Sequence, residues 1–166
     1  MSGALPIFAS ARRALETVLG FFICVQMIGM AGVVIIAVVA RTFGEPFSWY
    51  DEVASIQLAW LTYYGAAYAA LRRGHIGFPG LVEAMPEKAR IAAILFGEVV
   101  VVGFFVLLAW VGYEVLVILE GDNLVSLSSV PTQFTQSVIP IGAALFVVCQ
   151  LLSLPEALRG ELGASH

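Results

Sequence analysis

Residues 17–40 read TVLGFFICVQMIGMAGVVIIAVVA, 24 positions from Thr17 to Ala40 without a charged side chain. A bilayer hydrocarbon core ~30 Å thick requires roughly 20 apolar residues in helical form. This stretch satisfies that requirement alone, and three more follow it. Residues 53–71 carry no charge across 19 positions, and further apolar runs lie at about 91–119 and 138–154. The runs are fenced by charge or by turn formers: Arg12, Arg13 and Glu16 before the first, Arg41, Gly44 and Pro46 after it, Arg72 and Arg73 after the second. The expected fold is an all-α membrane protein with four transmembrane helices, a single membrane domain over residues 1–166 and one compact helical bundle.

Composition points the same way. Hydrophobic residues make up 60% of 166, charged residues only 12%, and mean hydropathy is +0.95. Water-soluble domains carry about a quarter charged residues, so this chain lacks the polar surface to coat a water-facing fold. A membrane β-barrel would alternate in ~10-residue segments, whereas these runs are continuous. Cys24 and Cys149 lie inside the first and fourth runs and read as small packing residues. Net charge is -4 with no basic run, so no nucleic-acid partner is expected. The first run is longer than the apolar core of a signal peptide and is read as an uncleaved helix.

Basic residues sort by loop. Arg12, Arg13, Arg72, Arg73, Lys88, Arg90 and Arg159, seven of the eight, share one face, and only Arg41 falls on the other. The positive-inside rule makes the seven-residue face cytoplasmic, with both termini inside. The outer side then carries Glu45, Asp51, Glu52, Glu120 and Asp122. Phe47, Trp49, Tyr50, Trp110 and Tyr113 fall near that outer interface, where aromatic rings with a polar edge are favoured. In the inner loop, Pro79–Met85 mixes apolar residues with Glu83 and suggests a short interfacial helix. Pro86 and Glu87 suit the start of the third long helix. Residues 121–137, rich in Ser, Thr, Gln and Asn with interspersed apolar residues, read as a surface segment that packs on another protein.

The polar groups inside the runs are the candidate sites. Glu98 lies eight residues past Arg90, about 12 Å into its helix. A carboxylate at that depth costs several kcal/mol (~3, translocon scale) unless protonated, paired or wet. It reads either as an ion or proton site or as a polar tie to a basic or hydroxyl group on a neighbouring helix or subunit. Glu114 is nearer the outer end and can snorkel. Arg41 and Glu52 flank the first outer turn and suggest an inter-helix salt bridge. In the second run Ala59, Thr62, Ala66 and Ala69, with Gly65, form a small-residue stripe that lets backbones approach in lipid. Trp60, Tyr63, Tyr64 and Tyr68 on the same helix need polar partners, so protein is expected to cover it. His75 and His166 cannot form an intramembrane haem pair, and no zinc, phosphate-loop or nucleophile pattern is present, so no cofactor and no catalysis are expected.

Several elements together resemble one family. Arg41, Pro46, Trp49 and Asp51-Glu52-Val53-Ala54 open the second helix, Trp60-Leu61-Thr62-Tyr63-Tyr64-Gly65-Ala66-Ala67 continues it, and Arg72-Arg73-Gly74-His75-Ile76 closes it as a cytoplasmic turn. Ile139-Pro140-Ile141-Gly142 opens the last. The chain resembles the small, DctQ-type membrane subunit of tripartite ATP-independent periplasmic (TRAP) transporters. The resemblance implies a non-catalytic scaffold in the bacterial inner membrane, surrounded by lipid. It also implies a large elevator-type permease subunit as partner, transient docking of a periplasmic substrate-binding protein, and ion-coupled uptake of organic acids, with sodium as the ion. The competing expectation is a small dimeric, proton-coupled multidrug-type exporter using Glu98. A four-helix quinone-type redox enzyme would need cysteine pairs or intramembrane histidines that the sequence lacks.

Overall fold

The computed structural model describes the backbone of residues 4–72 and 86–163, and the side chains at 10–72, 86 and 89–154. The chain forms α1 (Ala4–Thr42), α2 (Tyr50–Leu71), α3 (Glu87–Ile118), a short α4 (Thr132–Gln136) and α5 (Val138–Gly163). Among the described residues no strand occurs; Asn123 and Pro131 make one isolated bridge. The interfacial helix expected at 79–85 lies outside the described residues.

Local chemistry sets the helix ends. α1 stops where Gly44 adopts φ +83°, a left-handed conformation that glycine enters without a Cβ clash. Backbone N–H groups of Gly44 and Glu45 then donate to Arg41 and Ala40 carbonyls at 3.2 and 3.1 Å, satisfying carbonyls the helix leaves open. α3 begins directly after Pro86, whose missing N–H is harmless there. Pro140 is the third residue of α5, so it starts that helix rather than bending it. α1 begins well before the apolar run, with Arg12, Arg13 and Glu16 inside the helix rather than ahead of it. Charge fences mark where a helix leaves lipid, not where its hydrogen bonding ends.

The helices pack as a row, α1–α2–α5–α3, rather than as a closed bundle. α1 and α2 are antiparallel: Arg12 meets Leu71 near one end, and Gly29 faces Gln57 further along. α3 and α5 are also antiparallel, through Glu98 with Gln150 and Phe105 with Phe146. α2 and α5 run in the same direction, because Trp60 meets Thr135 just before α5 and Tyr63 meets Gly142 within it. The buried cluster is Leu19 from α1, Ala67, Ala70 and Leu71 from α2, and Phe146 and Cys149 from α5. A row is sufficient in lipid, where exposed apolar side chains carry no penalty and helices associate by close packing and hydrogen bonds.

Two glycines allow that close packing. A Cβ on Gly142 would stand 2.6 Å from Tyr63 Cβ, and one on Gly112 would stand 2.8 Å from Ile139 Cγ2. They seat α5 against α2 and against α3 respectively.

Among the described residues, three stretches are long and apolar enough to cross a membrane: Ser10–Thr42, Ala89–Ile118 and Thr132–Leu154. α2, 22 residues long, falls below that apolarity, so length and composition mark three of the four expected spans. The reason lies in its position. α2 sits between α1 and α5, and its Gln57, Trp60 and tyrosines face protein, which tolerates polar groups that lipid does not.

Candidate functional site

Glu98 lies in a groove of about 490 Å³ where α2, α3 and α5 meet. Its walls are Ala66 of α2, Ala93 and Gly97 of α3, and Phe146 and Gln150 of α5. Phe105 stacks on Phe146 with centroids 3.6 Å apart and planes 11° apart. The Gln150 side-chain amide donates from Nε2 to Glu98 Oε2 at 2.7 Å. Gln150 Oε1 is buried and has no hydrogen-bond partner among the described residues. Within the chain, Gln150 of α5 thus reaches across the groove to Glu98 of α3. Gln150 was detectable in the sequence as the one amide side chain in the fourth run, but which helix it faced was not.

One residue of the small-residue stripe reaches the same groove. Ala66 lines it, Thr62 is exposed, and a Cβ on Gly65 would meet nothing within 4 Å. Ala59 and Ala69 are half-buried. The α2 face that this chain covers fully is the adjacent one, with Ala67 and Ala70. Further along, Trp60 Nε1 donates to the Thr135 carbonyl at 3.1 Å. The Trp60 ring lies 5.6 Å from Phe134, and Phe22 of α1 packs edge-on against Tyr64 at 4.7 Å. Protein covers this aromatic side of α2, as its side chains require.

The structure does not bring Arg41 and Glu52 together. Among the described residues they form no ion pair; Glu52 uses both oxygens elsewhere. Oε1 accepts from Val125 N–H at 3.1 Å and Oε2 from Ser126 N–H at 2.9 Å. Ser126 Oγ donates to the Ser48 carbonyl at 3.3 Å. Glu52 therefore clamps the 119–131 loop onto the start of α2. A carboxylate can accept two adjacent backbone N–H groups from one loop, and that geometry outcompetes an exposed arginine eleven residues away. Arg41 instead lines a small pocket with Ala37 and Tyr50. Val125 beside the clamp is 95% exposed, the most exposed large apolar residue described. Glu114 accepts from Trp110 Nε1 at 3.0 Å, one turn earlier on α3.

The opposite, basic end is held by arginines. Arg72 Nε bonds Glu16 Oε1 at 2.6 Å, joining α2 to α1. That hydrogen bond, with the attraction of the carboxylate, raises the Arg72 guanidinium above its ordinary pKa. Arg72 also lies over the Tyr68 ring at 5.4 Å. Arg12 Nη2 donates to the Leu71 carbonyl at 3.0 Å, satisfying one of the acceptors that a helix C-terminus leaves open. Arg73, Gly74 and His75 of the expected turn lie outside the described residues. Among those described, no group of three or more His, Cys, Asp or Glu could hold a metal ion.

A row of long apolar helices, with polar ties at its ends and one polar pair in a side groove, fits a helical membrane protein. Residues 30–160 match the family of tripartite ATP-independent periplasmic transporters, DctQ component. The chain belongs to that family. It is similar to the sialic acid TRAP transporter small permease protein SiaQ of Vibrio cholerae serotype O1, at 24% identity over 121 residues, 73% of this chain and 69% of the relative. It is thus a transmembrane transport subunit of the bacterial inner membrane, and family membership implies association with a large membrane subunit and a binding protein. The exporter expectation finds no support in the family match.

Proposed function

We propose that this chain is a non-catalytic scaffold that braces a large, elevator-type permease subunit and helps dock a periplasmic substrate-binding protein, in sodium-coupled uptake of organic acids. The observation that carries this reading is the DctQ family match over residues 30–160. In the proposed topology the chain crosses four times, α2 included, with both termini cytoplasmic. The Arg72-Arg73-Gly74-His75 turn is then cytoplasmic, and the 119–131 loop clamped by Glu52 faces the binding protein.

The α2 face carrying Ala59, Thr62, Gly65, Ala66 and Ala69, with the groove that Ala66 lines, is the proposed seat for the large subunit. Its small side chains allow close backbone approach. Buried Gln150 Oε1 favours a partner side chain that donates a hydrogen bond, because an unmade bond there costs about 1–3 kcal/mol. Glu98, held by Gln150, completes the acceptor pair.

Co-purification tests the reading. Expressed with the large permease of its own transporter, the chain is expected to emerge in a stable complex from mild detergent. Reconstituted alone, it should transport nothing. Sustained uptake by this chain alone would overturn the scaffold assignment. Substitution of Gly65 by Leu should weaken complex formation while leaving the isolated chain folded, since space at Gly65 is open within it.

A further inference from the structure

Between α1 and α2 at the basic end lies a second pocket, of about 470 Å³. Arg13 and Glu16 of α1 and Tyr68 and Arg72 of α2 line its polar part, and Gly20 and Phe21 its apolar part. We propose that this pocket binds the headgroup of a phosphatidylethanolamine, with the phosphate on Arg13 and Arg72 and the ammonium on Glu16.

Charge comes first. The pocket holds two guanidinium groups and one carboxylate, so it offers donors for an anion and an acceptor for a cation. The ion pair between Arg72 and Glu16 engages only Nε and Oε1. A guanidinium carries further N–H groups on its terminal nitrogens, and a carboxylate has a second oxygen. The Arg72 side chain is 59% exposed and Arg13 is exposed, so both reach an incoming phosphate. A headgroup carrying both charges matches this set. A purely anionic headgroup would gain the arginines but bring no cation to the second oxygen of Glu16.

Depth and shape select a lipid over a soluble phosphate. The pocket sits where the last charged residue of α1, Glu16, gives way to the uncharged run from Thr17. From its apolar wall, Val18, Phe21, Val25 and Ile28 continue along α1, all exposed. Their spacing of three, four and three places them on one helix face. The ten steps from Val18 to Ile28 rise about 15 Å, half of a ~30 Å hydrocarbon core and thus one leaflet. An acyl chain descending from the headgroup would run along this stripe.

The test uses the full chain in mild detergent, with retained lipid read by native mass spectrometry. Phosphatidylethanolamine and phosphatidylglycerol with identical acyl chains are supplied separately, alongside soluble phosphoethanolamine and inorganic phosphate. Retention of the ethanolamine lipid should exceed that of the glycerol lipid, Arg13→Gln should lower it about five-fold, and Glu16→Gln should abolish the preference. Neither soluble compound should be retained. Arg13 is exposed, so its replacement reads binding rather than folding; circular dichroism checks that both variants keep their helix content. Equal retention of the two lipids by the unaltered chain, unchanged retention in folded Arg13→Gln, or capture of a soluble phosphate compound would each overturn the proposal.

Discussion

α3 and α5 are neighbours in the row, yet their most apolar stretches differ in how much protein covers them. Nothing of that stretch in Ala89–Ile118 is buried, against 39% in Thr132–Leu154. α1 resembles α3, with 6% buried, and α2, the least apolar long helix, shares the central position with α5. Burial and apolarity therefore run in opposite directions here. In water the greasiest segment is driven inward. In lipid it can stay outside without cost, and the central helices supply the polar side chains that meet a neighbouring helix, Gln57 and Tyr63 of α2 and Gln150 of α5.

The contrast between centre and flank can be broken experimentally, and the largest effect belongs at Gly142. Gly142→Val should cost about 1–3 kcal/mol by forcing α5 away from Tyr63, read as a lower unfolding midpoint in detergent. The control is Gly103→Ala on α3, where nothing lies within 4 Å of the new Cβ; its midpoint should stay level or rise. Equal losses at the two sites would erase the distinction.

Next in size is Glu52→Ala, which removes the acceptor of two backbone N–H groups and should loosen the 119–131 loop by about 1–2 kcal/mol. Hydrogen exchange at Val125 and Ser126 is the measurement, and Arg41→Gln should leave it unchanged. An equal effect of Arg41→Gln would restore the salt bridge anticipated from sequence. Trp60→Phe keeps the ring but loses the bond to Thr135, a change of about 1 kcal/mol expected as faster exchange in α4. The smallest effect is at the flank. Val99→Leu on the exposed side of α3 should stay within about 0.5 kcal/mol in the isolated chain.

Much of the architecture was legible from residues alone. Uncharged runs located the long helices because lipid tolerates few charges, and Gly44 with Pro46 marked the first turn. The depth of Glu98 drew attention to it, and the structure sets it against Gln150. Other features left no such trace. α4 is a single polar turn, too short for periodicity to reveal. The start of α1 and the far end of α5 run past the lipid-soluble segments, where composition ceases to report on helix length. Glu52's partners are main-chain N–H groups of Val125 and Ser126, which any residue type supplies, so no side chain at those positions announces them. The row order was also unreadable, since it depends on which faces meet, and Gly142 and Gly112 resemble other glycines in apolar helices until their neighbours are known.

The parallel pairing of α2 with α5 has a consequence for biosynthesis. Two helices pointing the same way cannot be joined by a short hairpin, so the chain must first lay down α3 and return. While ribosomes are still making α5, α1 and α2 can already associate, but α3 still lacks α5, the helix it chiefly packs against. The final segment is thus the keystone that joins a finished hairpin to a waiting single helix. Nascent chains truncated before residue 132 should leave α3 adrift in the bilayer, exposed to membrane quality control, however well the first half has assembled.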